Sequence, residues 1–269
     1  MRLIRVFPRR TRATPTDDLA YIGLPDMFAE ADAVHISVSF TWDVPGAERL
    51  ARAWEHIAPV TIGGPATGGR SGIFTPGQYI KPGYTITSRG CPNRCWFCSV
   101  WRREGPVREL PVRDGWNVLD DNLLACSRSH IEAVFTMLGR QAQRVQFTGG
   151  IEAARLEPWH VDLFAGLSPK PTIFFAWDTP DDYEPLRNAA IAMLNSGFTA
   201  ASHNLRCYVL IGFLGDTMDA ADRRLTQCVR LGLTPMAMLH RDQSGQTNPE
   251  WRAFQRRWAR PAIIHAKVH

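Results

Sequence analysis

The sequence predicts an α/β protein: an incomplete (β/α)6 barrel of the TIM type, preceded by a small β-α-β extension. Short β-rich apolar runs begin at Tyr84 (YTITS), Trp116 (WNVLD), Arg144 (RVQFT), Thr172 (TIFFAW), Leu205 (LRCYVLI) and Thr234 (TPMAML). They are spaced by 32, 28, 28, 33 and 29 residues. Helical periodicity separates most of them, at His130 to Leu138, Asp182 to Asn195 and Asp219 to Arg230. A strand and a helix every thirty residues or so is the repeating unit of a parallel sheet. An eight-unit barrel takes roughly 250 residues, about 31 per unit. Residues 84–241 therefore hold five units and a closing strand.

Taken in order, Leu3 to Phe7 reads as a short first strand. A strand from Val34 to Phe40, a helix from about Pro45 to Ile57 and a strand from Val60 to Ile62 follow, ending in Gly63-Gly64-Pro65. This stretch is too short for an independent doubly wound sheet, so it is expected to extend the barrel's sheet or lean on its edge. Within the barrel, Gly139 marks a helix C-terminus. Beyond it, Pro249 to Ala259 puts Trp251, Phe254 and Trp258 on one helix face, which suits a packing lid. The expected organisation is an N-terminal extension (1–80), the barrel (81–242) and a C-terminal helical segment (243–269).

Composition narrows the function classes. The chain is 45% hydrophobic and 21% charged, enough to bury a core, which excludes disorder. No run of eighteen apolar residues is present, so no membrane-spanning helix is expected. The formal net charge is +5, with 28 arginines and only Lys81, Lys170 and Lys267 as lysines. Such a mild charge permits acidic partners without requiring them. Arg2, Arg5, Arg9, Arg10 and Arg12 precede the first acid, Asp17, but no apolar core of a signal peptide follows them. A cytoplasmic location is expected.

The cysteines carry the sharpest signal. Six are present, and three of them fall within eight residues: Cys91-Pro-Asn-Arg-Cys95-Trp-Phe-Cys98. This C-x3-C-x2-C directly follows the first barrel strand, and barrel enzymes place their chemistry at the C-terminal ends of strands. Three thiolates hold three irons of a [4Fe–4S] cluster and leave the fourth iron open, whereas an electron carrier uses four thiolates. Structural zinc needs four closed ligands, and Cys126 and His130 lack a compact ligand spacing for it. Cys207 and Cys228, in a strand and a helix pattern, read as core.

Other strand ends carry polar residues. The second strand ends in Asp120-Asp121-Asn122, followed by Cys126. Asp120 and Asp121 are candidates to hold substrate or move protons, or else to cap the next helix. Cys126 is a candidate hydrogen-atom donor or thiolate, or a buried small residue. The sixth strand ends in His240-Arg241-Asp242, where Arg241 is a candidate clamp for a carboxylate or phosphate.

The cysteine motif, with aromatic Phe97 just before its last cysteine, resembles that of the radical SAM superfamily over about residues 80–242. The resemblance implies a [4Fe–4S] cluster on Cys91, Cys95 and Cys98 that binds S-adenosylmethionine at its open iron. It further implies reductive cleavage of that molecule and removal of a substrate hydrogen atom by the resulting 5′-deoxyadenosyl radical. Thr148-Gly149-Gly150-Ile151-Glu152 is similar to the family's glycine-glycine-glutamate motif, with one residue inserted before Glu152. Asp178 stands where the family often binds ribose hydroxyls, although a turn or N-cap role fits Asp-Thr-Pro equally. Val209 to Asp216, with Ile211 and Gly212, resembles the strand that contacts adenine. The N-terminal extension is similar to a shortened cobalamin-binding domain, but its D-x-H-x-x-G loop is missing.

The expected substrate is small and polar or anionic, with nucleic acid a weaker alternative. An external donor such as flavodoxin or ferredoxin is implied. The rival readings are an iron–sulfur protein with an electron-transfer or structural role, and a radical SAM enzyme that modifies nucleic acid.

Overall fold

The computed structural model describes residues 1–242, 244–260 and 264. The expected C-terminal segment therefore lies partly outside the described residues, at 243, 261–263 and 265–269. The chain is α/β, with two parallel sheets that have separate cores.

The first sheet contains β1 (Leu3–Phe7), β2 (Ala20–Ile22) and β3 (Ala33–Ser37), then α1 (Val44–Trp54) and β4 (Val60–Gly63). Its order is β2-β1-β3-β4 and every pair is parallel. The segment thus builds its own sheet and does not extend the larger one. Two things made this invisible in the sequence. β2 is a three-residue edge strand held by register with Arg5 to Phe7, and it has no alternation of its own. Arg5, a charged residue inside a strand, is buried and satisfied by Asp17 and by the carbonyls of Gly77 (3.2 Å) and Gln78 (2.9 Å). α1 turns Ala47, Ala51 and Trp54 onto this sheet, where Ile4, Val6, Val34 and Ile36 are fully enclosed. Trp54 anchors the helix by donating its indole N–H to the carbonyl of Gly23 (3.0 Å).

The second region begins with β5 (Tyr84–Thr85), β6 (Ser88–Arg89), α2 (Val100–Arg103), β7 (Arg108–Glu109) and β8 (Asn117–Val118). It continues through α3 (Arg128–Leu138), β9 (Gln146–Phe147), α4 (Pro158–Gly166), β10 (Thr172–Trp177) and α5 (Tyr183–Asn195). It ends with β11 (Leu205–Ile211), α6 (Met218–Arg230), β12 (Thr234–Leu239) and α7 (Pro249–Trp258). Six strands form one all-parallel sheet in sequential order, β5-β8-β9-β10-β11-β12. Strands and helices alternate because each amphipathic helix buries one face on the sheet, as α6 does with Ala221, Leu225 and Cys228. Cys207 and Cys228 are wholly buried in this core.

Helix ends follow local chemistry. Ser127, Thr217 and Asn248 accept from backbone amides of α3, α6 and α7, and Gly139 follows the last turn of α3. α4 has no clear sequence periodicity because its run is apolar nearly all round; Pro158 and the Glu157–His160 capping box start it. α7 lays Phe254 and Trp258 into the larger core, as its apolar face predicts. No helix among the described residues is long and apolar enough to cross a membrane.

Candidate functional site

Parallel pairing puts the C-terminal ends of all six strands on one side, and the cysteine loop grows from that side. β6 and β7 pair antiparallel and close the loop at its base. Inside this neck the amide of Cys91 donates to the carbonyl of Gly105 (3.2 Å). Gly90 sits at φ +89° with a would-be Cβ 2.3 Å from the carbonyl of Pro106, so only glycine fits there.

Asp120, Asp121 and Asn122 after β8 hold this neck in register, residue by residue. Asp120 accepts from the amide of Thr87 (2.6 Å) and from the hydroxyls of Thr87 (2.5 Å) and Ser88 (2.8 Å). Asp121 accepts from Arg89 (3.3 Å) and from the amide of Gly90 (2.9 Å). Asn122 donates to the sulfur of Cys91 (3.4 Å) and to Glu152 (2.6 Å). Three consecutive side chains thus grip residues 87–91, the run that leads into the first cysteine.

Two residues expected to face substrate or move protons are engaged in this neck. Asp120 is buried with both oxygens engaged, and burial pushes its carboxyl up despite three donors. All of its described hydrogen bonds go to the neck of the cysteine loop. Asp121 is nearly as enclosed and is paired with Arg89. Sequence reasoning read the acids as possible catalysts and passed over Asn122, the member of the triplet that reaches a cysteine.

The three thiols form one electrostatic group. Cys95 is pushed up to about 11, first by burial and then by Cys98 and Cys91, with Asp178 and Asp182 adding to it. Cys98 is raised for the same first reason, and Cys91 again contributes. Among the described residues no three His, Cys, Asp or Glu side chains converge as ligands of one metal ion. Thiolates of a four-iron cube each bind a different iron, so convergence on one point is not its requirement. Trp96, between the cysteines, is 52% exposed and reaches the last two strands, with Phe213 at 5.7 Å and His240 at 5.6 Å between ring centroids. Phe97 packs edge-on against it.

The glycine pair after β9 divides its work. A Cβ on Gly149 would lie 2.4 Å from the carbonyl of Asp120, so this glycine lets the β9 end seat against the β8 end. Gly150 has φ +96° and nothing but one carbonyl at 4.0 Å beside its would-be Cβ. It leaves open space where a ligand can approach the backbone. Glu152 stands beyond it, bound by Asn122 and Arg155 (2.7 Å). Among the described residues the buried Asn122 amide oxygen has no partner, while its amide nitrogen bridges Cys91 and Glu152. Three thiols, an unpaired acceptor, a carboxylate and an open glycine are a donor set that fits a cluster with an amino-bearing ligand.

Asp178 follows β10 on the same side, and its carboxyl is pushed up to about 6 by burial and then by Asp182. Asp182, not Asp178, caps the next turn, accepting from the amides of Asp178 (2.9 Å) and Thr179 (2.7 Å). The helix-cap alternative for Asp178 therefore passes to Asp182.

Two predicted cofactor contacts are otherwise employed. Ile211 is fully buried in the larger core. Gly212, at φ +71°, is occupied on its open side by Leu239 (2.6 Å) and Trp251 (3.1 Å). Its amide donates to Asp216, which also pairs with Arg224 at 2.9 Å. The turn at Gly212 thus packs α7 onto the strand end.

Cys126 is pushed up to about 11 by burial beside Ser88 and Asp120, which disfavours a thiolate there. Arg241 is exposed and lies over the Trp42 ring of the N-terminal region (5.1 Å). Its described contact is with that region, not with the thiol loop.

A further residue had no sequence signal. Glu104, buried at the end of α2, pairs with Arg103 (3.0 Å) and Arg108 (3.2 Å) and accepts from the Ser71 hydroxyl (2.5 Å). It ties the cysteine loop to the glycine-rich segment after β4. No family model and no curated protein matches the chain.

Proposed function

We propose that the chain is a radical SAM enzyme, with the six sequential strands curled into a partial (β/α)6 barrel around its reaction space. The observation that carries this reading is the clamp of Asp120, Asp121 and Asn122, which holds a three-thiol loop at the C-terminal end of a parallel sheet. Cys91, Cys95 and Cys98 would hold a [4Fe–4S] cluster; bound to it and reduced by an external donor, S-adenosylmethionine supplies a radical that removes a hydrogen atom from substrate.

The chain's own residues would do the rest. Asn122 donates toward the Cys91 sulfur, and hydrogen bonds to sulfur tune a cluster's potential. Its free oxygen and Glu152 can accept from an ammonium group, next to the open backbone of Gly150. Asp178 offers a carboxyl to hydroxyl groups, and Trp96 covers the side toward β11 and β12. A small polar substrate in a cytoplasmic setting suits this arrangement.

Anaerobic reconstitution tests the proposal. About four irons per chain are expected, together with 5′-deoxyadenosine after addition of dithionite and S-adenosylmethionine. Replacing any one of the three cysteines by Ala should remove both. Full iron loading in Cys95→Ala, or four irons with no cleavage of S-adenosylmethionine, overturns the assignment; the second result selects the electron-transfer reading.

A further inference from the structure

A well-formed cavity lies away from the thiols. It is a space of about 500 Å³ between the C-terminal ends of β3 and β4 and the strand that leads into the cysteine loop, with Arg89 on its border. Its volume is in the range of sites for small organic molecules. One wall is the segment Gly63-Gly64-Pro-Ala-Thr-Gly68-Gly69-Arg70-Ser71-Gly72, which has five glycines in ten residues.

This segment is built open. Positions 68, 69 and 72 would meet nothing within 4 Å if given a Cβ. Gly64 is different: its missing Cβ admits the backbone of Val38 at 2.6 Å and fixes where the segment leaves β4. Among the described residues, the amides of Gly68, Gly69, Arg70, Gly72 and Ile73 donate to no protein group. Nor does the guanidinium of Arg70 pair with any acid among the described residues.

The charge of the cavity is one-sided. Its lining includes Arg70 and Arg89 but no aspartate or glutamate. Two carboxylates bond its lining residues from outside, Asp121 on Arg89 and Glu104 on the amide and hydroxyl of Ser71, and Glu104 is also paired with Arg103 and Arg108. Ser37, Ser39 and Thr75 add hydroxyls, while Phe74 and Ile86 supply an apolar wall.

We infer that this cavity binds a phosphorylated small organic molecule, its phosphate on Arg70 and the free amides of Gly69, Arg70, Gly72 and Ile73 and its body against Phe74 and Ile86. Successive free amides in a glycine-rich turn form a concave anion site, and a phosphate has enough oxygens to use several of them together with an arginine. An apolar wall and a volume well above that of inorganic phosphate require an organic body. The site does not depend on the cluster, so it stands or falls apart from the function proposed above.

Calorimetric titration of the full-length chain with phenyl phosphate, inorganic phosphate and benzoate tests this. Phenyl phosphate should bind saturably and more tightly than either of the others. Arg70→Ala, at an exposed residue with no partner among the described residues, should weaken it roughly tenfold or more. The cluster-free Cys91→Ala protein should bind it as the parent does. Absence of saturable binding, equal affinity for benzoate, or an unchanged affinity in Arg70→Ala overturns the inference.

Discussion

The two parallel sheets end differently at their C-terminal sides. In the six-stranded sheet the strand ends are cross-tied: Asp120 and Asp121 to residues 87–90, Asn122 to Cys91 and Glu152, Asp216 to Gly212 and Arg224. In the four-stranded sheet β4 runs out into a glycine-rich segment whose amides and arginine are largely uncommitted. The first arrangement holds the thiol loop by the protein's own hydrogen bonds; the second leaves donors uncommitted. Acids sit where backbone must be held, and their absence marks where an anion can enter. The ladders explain the need. β5, β8 and β9 are two residues long, whereas β10, β11 and β12 span six or seven. Where the ladder is short, side chains take over its work.

Four substitutions can break or sharpen this contrast. The largest effect should come from Asp120→Ala, which strands one amide and two hydroxyls in a buried place. We expect a loss of about 3 kcal/mol or more in urea unfolding, and lower iron loading although every cysteine remains. Full loading and unchanged stability would show that the clamp is dispensable. Next is Gly149→Ala, whose Cβ would press on the Asp120 backbone from 2.4 Å. Overpacking of that kind costs about 1–3 kcal/mol, and the same urea titration should find it.

Asp178→Asn should act with opposite sign and depend on pH. Its carboxyl is raised in the folded chain to about 6, so the native state holds a proton there that the unfolded chain releases at lower pH. Its contribution to stability is intact below the usual carboxylate value near 4 and is lost as pH rises through 6. The Asn variant should match the parent at pH 4 and exceed it by about 2–3 kcal/mol at pH 8. Parallel stability curves across that range would contradict a raised carboxyl. The smallest effect belongs to Gly69→Ala, where the side chain meets open space at an ordinary φ. A change within about 1 kcal/mol, on the stabilising side, is expected. Destabilisation comparable to Gly149→Ala would erase the difference between the two sheet ends.

Much of the larger region was legible because its signals are local. β10, β11 and β12 coincide with apolar runs read directly from the chain, and α3, α5 and α6 start within two residues of their periodic patterns. β1 was legible for the same reason. The two-residue strands were located but drawn too long, since hydrophobic runs report burial and not ladder length. β2 and α4 carried no usable period.

Within the candidate site, the residues were legible by type and the roles were not. Asp120 stood out as an acid at a strand end, and Ile211 and Gly212 through the resemblance to an adenine-contacting strand, yet each is engaged by packing or by the neck of the cysteine loop. Asn122 and Glu104 carried no motif, and both prove to be junctions.

The sequence by itself determined the α/β class, the order of the strands, and the placement of three cysteines just past the first of them. Those properties depend on spacing along the chain, which folding does not change. Only the tertiary structure decided that residues 1–63 build a separate sheet, that Asp120 to Asn122 face residues 87–91, and that an acid-free cavity opens beside Arg89. Each of these is a meeting of groups far apart in sequence, set by strand register and by which buried polar atoms can find partners.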